Sequence, residues 1–135
     1  MNKDMLIKSA VEVKRHAYTP YSHFAVGAAL LTKSGKIFTG CNVENLSFRL
    51  TVCAEEAAVA AAIAGGERDF TAIAVVADSN EPAMPCGACR QVLAEFNPNI
   101  EVMTATADGR KEGTFLLSDL LPRAKQGILE SLRGV

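Results

Sequence analysis

Three cysteines and one glutamate form two short clusters whose residue types and spacing suit a metal centre. Cys53 and Glu55 lie two positions apart, and Cys86 and Cys89 lie three positions apart directly after Pro85. On a helix, residues three apart share a face, so the second pair can present both sulfur atoms together. A catalytic zinc is held by three protein ligands and keeps a fourth position open for water or substrate. The clusters therefore predict a zinc centre with three thiolate ligands and a carboxylate beside it.

Two other uses of the cysteine pair compete with this interpretation. Cys41 is a fourth cysteine, so four thiolates can form a closed structural zinc site. Cys86 and Cys89 alone also match a redox Cys-x-x-Cys pair. The spacing of the pair does not choose among these three. Glu55 and Pro85 do, because with the cysteines they resemble the signature of zinc-dependent deaminases, whose first ligand is His or Cys.

Glu55 has a chemical role in such a centre. Zinc can lower the pKa of a bound water to about 7. A carboxylate next to that water can take its proton and pass it on. Attack on an amidine-like carbon needs one proton on the ring nitrogen and then one on the departing amine. The sequence therefore predicts Glu55 as the proton shuttle, and the alternative is a solvated glutamate on a helix face.

The composition is that of an ordinary soluble domain. The 135 residues are 49% hydrophobic and 21% charged, which predicts one domain over 1–135 with a sizeable core. The 14 basic and 15 acidic residues form no basic stripe, which argues against a nucleic-acid surface. We see no signal peptide, and the longest run of small apolar residues, 57–64, is too short to span a bilayer. The cytoplasm is the expected compartment, and there cysteine clusters more often bind metals or catalyse reactions.

Hydrophobic periodicity and turn residues predict the element order α-β-β-α-β-α-β-β with a small C-terminal helix. Strands separated by helices indicate a sheet covered on both faces. Both cysteine clusters fall at predicted helix N-termini, where the helix dipole lowers thiol pKa values. The predicted helices are 4–17, 54–64, 86–96 and 124–132, with a possible helical turn at 118–121, and the predicted strands are 24–32, 37–44, 72–77, 100–106 and 113–117.

Four segments, 18–29, 40–45, 53–55 and 85–92, together resemble the small homotetrameric cytidine deaminases. The resemblance covers nearly the whole chain. It implies a three-layer α/β/α fold with a mixed five-stranded sheet and one zinc ion per chain. It further implies hydrolysis of cytidine and deoxycytidine to uridine and deoxyuridine with release of ammonia. The expected partners are a small pyrimidine nucleoside and three further copies of the chain, with sites shared between subunits.

The same resemblance implies roles for five substrate-binding residues. Phe24 would pack on the pyrimidine, and Asn42 and Glu44 would hold the ribose 3′-hydroxyl. Ala54 would also contact the substrate, and Phe48 would lie on a loop that reaches a neighbouring subunit's site. A carboxylate accepts well from a hydroxyl but repels a phosphate, so Glu44 favours free nucleosides over nucleotides. The alternatives are core packing for Phe24 and a polar strand end for Asn42 and Glu44.

Several positions depart from the common pattern of that family. Glu56 stands where many members have Arg after the catalytic Glu, and Phe48 stands where many have Tyr. Lys125 falls near where some carry an aromatic residue that covers a neighbour's substrate. Zinc with three thiolates is formally anionic, so Glu56 should need a compensating cation. We expect Arg49, or failing that Arg90, to pair with Glu56.

These departures leave the exact substrate open. With less cover over the base, the site is expected to accept substituents on the exocyclic amine. One alternative substrate class is therefore a blasticidin-type antibiotic or an amine-substituted cytidine. An alternative of another kind is a non-catalytic, zinc-stabilised binding protein. A polynucleotide editor is disfavoured by the balanced charge.

Overall fold

The computed structural model describes residues 3–125. Within them, five strands form one mixed sheet in the order β2-β1-β3-β4-β5. β3 and β4 run parallel, and the other neighbouring pairs are antiparallel. The strands are β1 (Val26–Thr32), β2 (Ile37–Cys41), β3 (Phe70–Ala77), β4 (Glu101–Thr106) and β5 (Glu112–Leu116).

Four α-helices accompany the sheet in the described chain. They are α1 (Lys3–Lys14), α2 (Ala54–Ala64), α3 (Gly87–Phe96) and the short α4 (Leu117–Leu120), with a 3₁₀ turn at Phe48–Leu50. No helix among residues 3–125 is long and apolar enough to cross a membrane.

The helices cover both faces of the sheet and build two cores. On one face, α1 contributes Leu6 and Ala10, which pack with Ala29, Ala74 and Met103 of the strands. On the other face, α2 and α3 pack against the remaining inward side chains, which include Ala58, Leu93, Leu30, Ile73 and Val102. The predicted three-layer α/β/α fold with a mixed five-stranded sheet is confirmed.

Close approach of α2 to the sheet depends on Gly40 in β2. A Cβ atom at this position would lie 2.4 Å from the backbone nitrogen of Ala58 and 2.5 Å from the carbonyl oxygen of Ala54. The helix presents small buried side chains to the sheet, since Ala54, Ala58 and Ala62 are fully buried. A glycine facing an alanine-rich helix thus sets how closely the start of α2 lies against the β1–β2 hairpin.

Most predicted elements are present with shifted ends. α2 has the predicted bounds, whereas α1 ends at Lys14 and β1 begins at Val26. The predicted second strand, 37–44, ends early because the backbone of Val43 forms isolated bridges with Tyr18 and Val52 instead of continuing along β1. Of the predicted C-terminal helix, residues 124–125 lie in a turn and 126–132 lie outside the described residues.

Candidate active site

The two cysteine clusters meet where α2 and α3 begin. Cys53 is the residue before α2, Cys86 is the residue before α3, and Cys89 lies in the first turn of α3. Their three sulfur atoms lie within 4.8 Å of one another, and the Cys86 and Cys89 sulfurs are 3.5 Å apart. Neither Cys53 nor Cys86 uses its side chain to cap its helix, so both sulfurs are available as ligands.

This geometry fits a zinc ion. A Zn–S bond of about 2.3 Å in a tetrahedron places sulfur atoms about 3.8 Å apart. Three thiolates also leave the fourth position open, because Cys41 lies on β2 outside the group. The competing closed site of four thiolates is therefore not formed by the described residues.

The raised pKa values of two of the cysteine thiols also indicate that a cation is needed to hold them as thiolates. Burial raises the pKa of Cys53 to about 12, and the negative charges of Cys86 and Glu55 add to the effect. The lowering of the thiol pKa expected at a helix N-terminus is therefore outweighed by burial. Burial and the charge of Glu55 also raise the pKa of Cys89. Cys53 and Cys89 therefore favour the protonated thiol near neutral pH unless a positive ion stabilises their thiolates. A bound divalent metal supplies that charge and holds cysteine ligands deprotonated.

Glu55 lies in the first turn of α2 and is 5% exposed. Its burial raises the pKa of the carboxyl group above its ordinary value. A carboxyl group whose pKa moves toward neutrality is better suited to both accept and donate a proton during a reaction. The structure thus places a buried carboxyl group with a raised pKa beside the sulfur cluster.

A cavity of about 230 Å³ opens beside the sulfurs. Seven of the nine predicted site residues line it, namely Phe24, Asn42, Cys53, Ala54, Glu55, Cys86 and Cys89. The wall is mainly apolar with a few polar groups, as in sites for small molecules. Phe24 is 38% exposed, which argues against the alternative of plain core packing.

Asn42 anchors the wall that carries Phe24. Its Oδ1 accepts a hydrogen bond from the backbone nitrogen of Val26 at 2.9 Å, and its Nδ2 donates to the carbonyl oxygen of Phe24 at 2.8 Å. The amide still has one N–H and one acceptor position for a ligand. Asn42 therefore holds the segment that presents Phe24 and keeps polar capacity at the cavity.

Glu44 and Phe48 are the two predicted site residues that do not line the cavity. Glu44 instead accepts hydrogen bonds from the backbone of Tyr21 and Ser22 and from the Ser22 hydroxyl. Phe48 is 70% exposed and meets Tyr21 edge to face, with ring centroids 5.6 Å apart.

Five cavity residues were missed by the sequence interpretation: Val26, Thr51, Val75, Ala83 and Met84. A sequence signal exists for two of them, since Thr51 and Met84 lie two positions before the cysteines that precede α2 and α3. No comparable signal marks Val75, whose place in the cavity depends on the sheet register.

The expected compensation of Glu56 by an arginine is not seen within residues 3–125. The Arg90 guanidinium donates from Nε to the Pro85 carbonyl at 2.8 Å and from Nη1 to the Leu120 carbonyl at 2.9 Å. Arg49 is exposed on the 3₁₀ turn and forms no ion pair in this part of the chain. The predicted pairing of either arginine with Glu56 is therefore wrong for a single chain.

Comparisons with known proteins agree with the site. Residues 1–105 match the family described as the cytidine and deoxycytidylate deaminase zinc-binding region. A cytidine deaminase from Halalkalibacterium halodurans is 49% identical over 92% of this chain and 94% of its own. The crystal structure of cytidine deaminase from Burkholderia pseudomallei superposes with a TM-score of 0.87 at 47% identity, covering 91% of this chain and 98% of the other. A blasticidin-S deaminase from Bacillus cereus is 33% identical over 73% of this chain and 75% of its own.

The sheet, its helices and the three-sulfur centre define a zinc-binding deaminase domain. The chain belongs to the cytidine deaminase family, whose members are zinc-dependent hydrolases. The predicted family, fold and zinc cofactor are thereby confirmed, with Cys53, Cys86 and Cys89 as the residues that suit one metal ion.

Proposed function

We propose that the protein hydrolyses cytidine and deoxycytidine to uridine and deoxyuridine and releases ammonia. The observation that carries this proposal is the buried carboxyl group of Glu55 next to three clustered cysteine sulfurs. Both lie in one cavity with Phe24 and Asn42. A carboxyl group suited to proton transfer, three sulfurs suited to a metal ion and an exposed ring suited to stacking on a pyrimidine thus share one cavity. We also infer that residues 1–135 form one catalytic domain, since both cores pack on the same sheet.

The protein side chains then have distinct tasks. Cys53, Cys86 and Cys89 would hold the zinc ion, which when bound would supply an activated water as nucleophile. Glu55 would take a proton from the attacking water and give it to the ring nitrogen next to the carbon under attack. It would then take the remaining proton from the hydroxyl added to that carbon and pass it to the amine, which leaves as ammonia while the carbonyl forms. The raised pKa of Glu55 suits both directions of transfer. Phe24 packs against the pyrimidine and fixes the ring relative to Glu55.

A free nucleoside is the preferred substrate class. The hydrogen bond from the Ser22 side chain, together with backbone N–H groups, lowers the pKa of Glu44, so this carboxylate is ionised at neutral pH. A negative charge near the sugar end accepts a hydroxyl but repels a phosphate. We therefore expect nucleotides and polynucleotides to be poor substrates.

We further propose a homotetramer in which the 45–52 loop of one subunit completes the site of another. Three large apolar side chains of this loop are strongly exposed: Leu46 at 81%, Phe48 at 70% and Leu50 at 62%. Clustered exposed apolar groups are typical of interaction surfaces. The cavity of about 230 Å³ is also below the range of roughly 300–1,000 Å³ usual for small-molecule sites, which is consistent with a wall supplied by a neighbour. The expected cytoplasmic location stays a prediction.

Amine-bearing antibiotics of the blasticidin type are the second substrate class to consider. The observation in favour is the 33% identity with a relative named blasticidin-S deaminase. The stronger similarity to proteins named cytidine deaminase places cytidine first.

Ammonia release from a substrate panel tests these proposals. The panel contains cytidine, deoxycytidine, cytosine, cytidine monophosphate, a cytosine-containing oligonucleotide, N4-methylcytidine and blasticidin S. We expect the two nucleosides to react best. Zinc-loaded protein that releases no ammonia from any of them would instead support the non-catalytic binding protein. Faster reaction with blasticidin S or N4-methylcytidine than with cytidine would change the assigned substrate.

A further inference from the structure

Ser22 connects the residue proposed to hold the sugar to the residue proposed to hold the base. We propose that Ser22 is a positioning residue, which orients Glu44 toward the substrate 3′-hydroxyl and fixes the backbone of Phe24. This inference rests on the proposed function, because it takes Glu44 and Phe24 as substrate-binding residues. Four hydrogen bonds of the segment 21–24 carry it.

The Ser22 hydroxyl has both a donor and an acceptor role. It donates to Oε2 of Glu44, and it accepts from the backbone nitrogen of Phe24 at 3.0 Å. A hydroxyl has a single proton, so its donor capacity is used on the carboxylate. The orientation of the hydroxyl is therefore set by Glu44 on one side and by Phe24 on the other.

The acceptor positions of Glu44 are nearly filled. Oε1 accepts from the backbone nitrogens of Tyr21 and Ser22, each at 3.1 Å. Oε2 accepts from the Ser22 hydroxyl. A carboxylate offers about four acceptor positions, so one on Oε2 remains. The hydroxyl of Ser22 thus keeps the carboxylate plane fixed and leaves a single place where a sugar hydroxyl can donate.

The backbone between the two contacts is constrained as well. His23 adopts a left-handed conformation with φ of 57°, and its nitrogen donates to the Thr19 carbonyl at 3.0 Å. The carbonyl of Phe24 is held by the Asn42 side chain at 2.8 Å. Phe24 is therefore tied through its nitrogen to Ser22 and through its oxygen to Asn42. If the Glu44 carboxylate moved, the Ser22 hydroxyl would move with it. The hydrogen bond from the Phe24 nitrogen to that hydroxyl would then be disturbed.

This arrangement predicts that the effect of Ser22 depends on the substrate's 3′-hydroxyl. Loss of a hydrogen bond to a charged group typically changes binding by about tenfold or more. Ser22→Ala should therefore raise KM for cytidine by about tenfold, with a smaller change in kcat. For 3′-deoxycytidine, which has no hydroxyl for Glu44 to hold, the rise in KM should be about threefold or less.

The experiment measures kcat and KM for both substrates with zinc-loaded parent, Ser22→Ala, Ser22→Cys and Ser22→Thr proteins. Ser22→Thr keeps the hydroxyl and should restore the parent ratio between the substrates. Ser22→Cys keeps the size but donates weakly, so it should behave like Ser22→Ala. Ser34→Ala is the matched control, because the Ser34 hydroxyl donates to the Glu67 carboxylate at 2.7 Å in an exposed pair away from the cavity. Ser34→Ala should change neither kcat nor KM.

The outcomes separate this inference from the proposed function. If Ser22→Ala raised KM equally for cytidine and 3′-deoxycytidine, Ser22 would have only a structural role in its loop. That result would overturn the inference. Failure of Ser22→Thr to restore the ratio would overturn it as well. A parent protein that treats cytidine and 3′-deoxycytidine alike would overturn the sugar role of Glu44 and, with it, this inference. If the parent protein prefers cytidine to 3′-deoxycytidine and Ser22→Ala keeps the same preference, the proposed role of Ser22 is overturned. The sugar role of Glu44 would then still stand.

Discussion

The carboxylate of Glu56 lies 3.9 Å from the sulfur of Cys89, which is one of the three metal-binding cysteines. No cation of residues 3–125 forms an ion pair with it. Zinc with three thiolates is formally anionic, so Glu56 places a further negative charge beside an anionic centre. At an effective dielectric near 20, like charges about 4 Å apart repel appreciably. Glu56 should therefore weaken zinc binding.

Glu56→Gln is expected to slow zinc release. The substitution removes one charge and keeps the shape, so transfer of zinc to a chelator should slow by about threefold to tenfold. Arg49→Ala should leave this effect unchanged, since Arg49 does not reach Glu56 within one chain. A double variant whose effects are not additive would show that Arg49 contacts Glu56 across a subunit boundary.

Glu55→Gln should separate metal binding from proton transfer. A glutamine keeps the size of the buried side chain but cannot take a proton from water. We expect kcat for cytidine to fall by about 10²–10⁴-fold. Zinc content, measured by metal analysis, and the melting temperature should stay near those of the parent. Activity within about tenfold of the parent would falsify the role of Glu55.

The parts of the site that depend on local residue spacing could be predicted from the sequence. Cys53, Glu55, Cys86 and Cys89 could be predicted because their spacing suits a metal centre and because, with Pro85, they resemble the signature of zinc-dependent deaminases. Each pair lies within a few positions of a helix start, where residue spacing fixes geometry. α2 was predicted with its observed bounds, because its alanine run is closed by Gly65.

The other features of the site depend on contacts between residues far apart in the sequence, which local spacing does not determine. Val75 faces the cavity because β3 pairs with β1 and β4 in one register, and a shift of one residue would turn it to the other face. The hydrogen bonds of Glu44 to Tyr21 and Ser22 span more than 20 positions. The partners of Arg90 likewise follow from how α3 packs near α4 rather than from the sequence near Arg90.

The open fourth position of the zinc site can be tested on Cys41. This cysteine is half-buried on β2 and lies outside the three-sulfur group. Cys41→Ala should therefore keep one zinc per chain and full activity. Cys89→Ala should lose zinc, because it removes a buried ligand. Zinc loss from the Cys41 variant would instead indicate a closed site of four thiolates.

The stability contribution of Glu44 should depend on pH. Its pKa in the folded protein lies below its ordinary value of 4.5, chiefly through the Ser22 hydrogen bond. A lowered folded pKa stabilises the fold above the unfolded pKa, and this stabilisation is lost as pH falls through the folded value. Melting curves of parent and Glu44→Gln should therefore differ most above pH 4.5 and converge in more acidic buffer. Acid-driven zinc loss affects both proteins and cancels in the difference. A difference that does not vary with pH would contradict the lowered pKa.

Arg90 links the zinc-binding turn to the chain after β5. Its guanidinium donates to the carbonyl of Pro85, directly before Cys86, and to the carbonyl of Leu120 at the end of α4. Two carbonyl groups from distant segments are thereby held by one planar, forked cation. Their loss should loosen the turn that presents Cys86.

Arg90→Ala should therefore speed zinc release and lower the melting temperature together. Hydrogen bonds to a charged group typically contribute about 1.5–3 kcal/mol, so zinc transfer to a chelator should accelerate by about tenfold or more. Arg90→Lys should recover part of this loss, because a lysine can reach one carbonyl but lacks the fork that binds both. Arg110→Ala serves as the control, since the Arg110 side chain is 85% exposed and pairs only with Asp108 among the described residues. Unchanged zinc release in Arg90→Ala, with a lowered melting temperature alone, would limit Arg90 to fold stability and remove it from the zinc-binding turn.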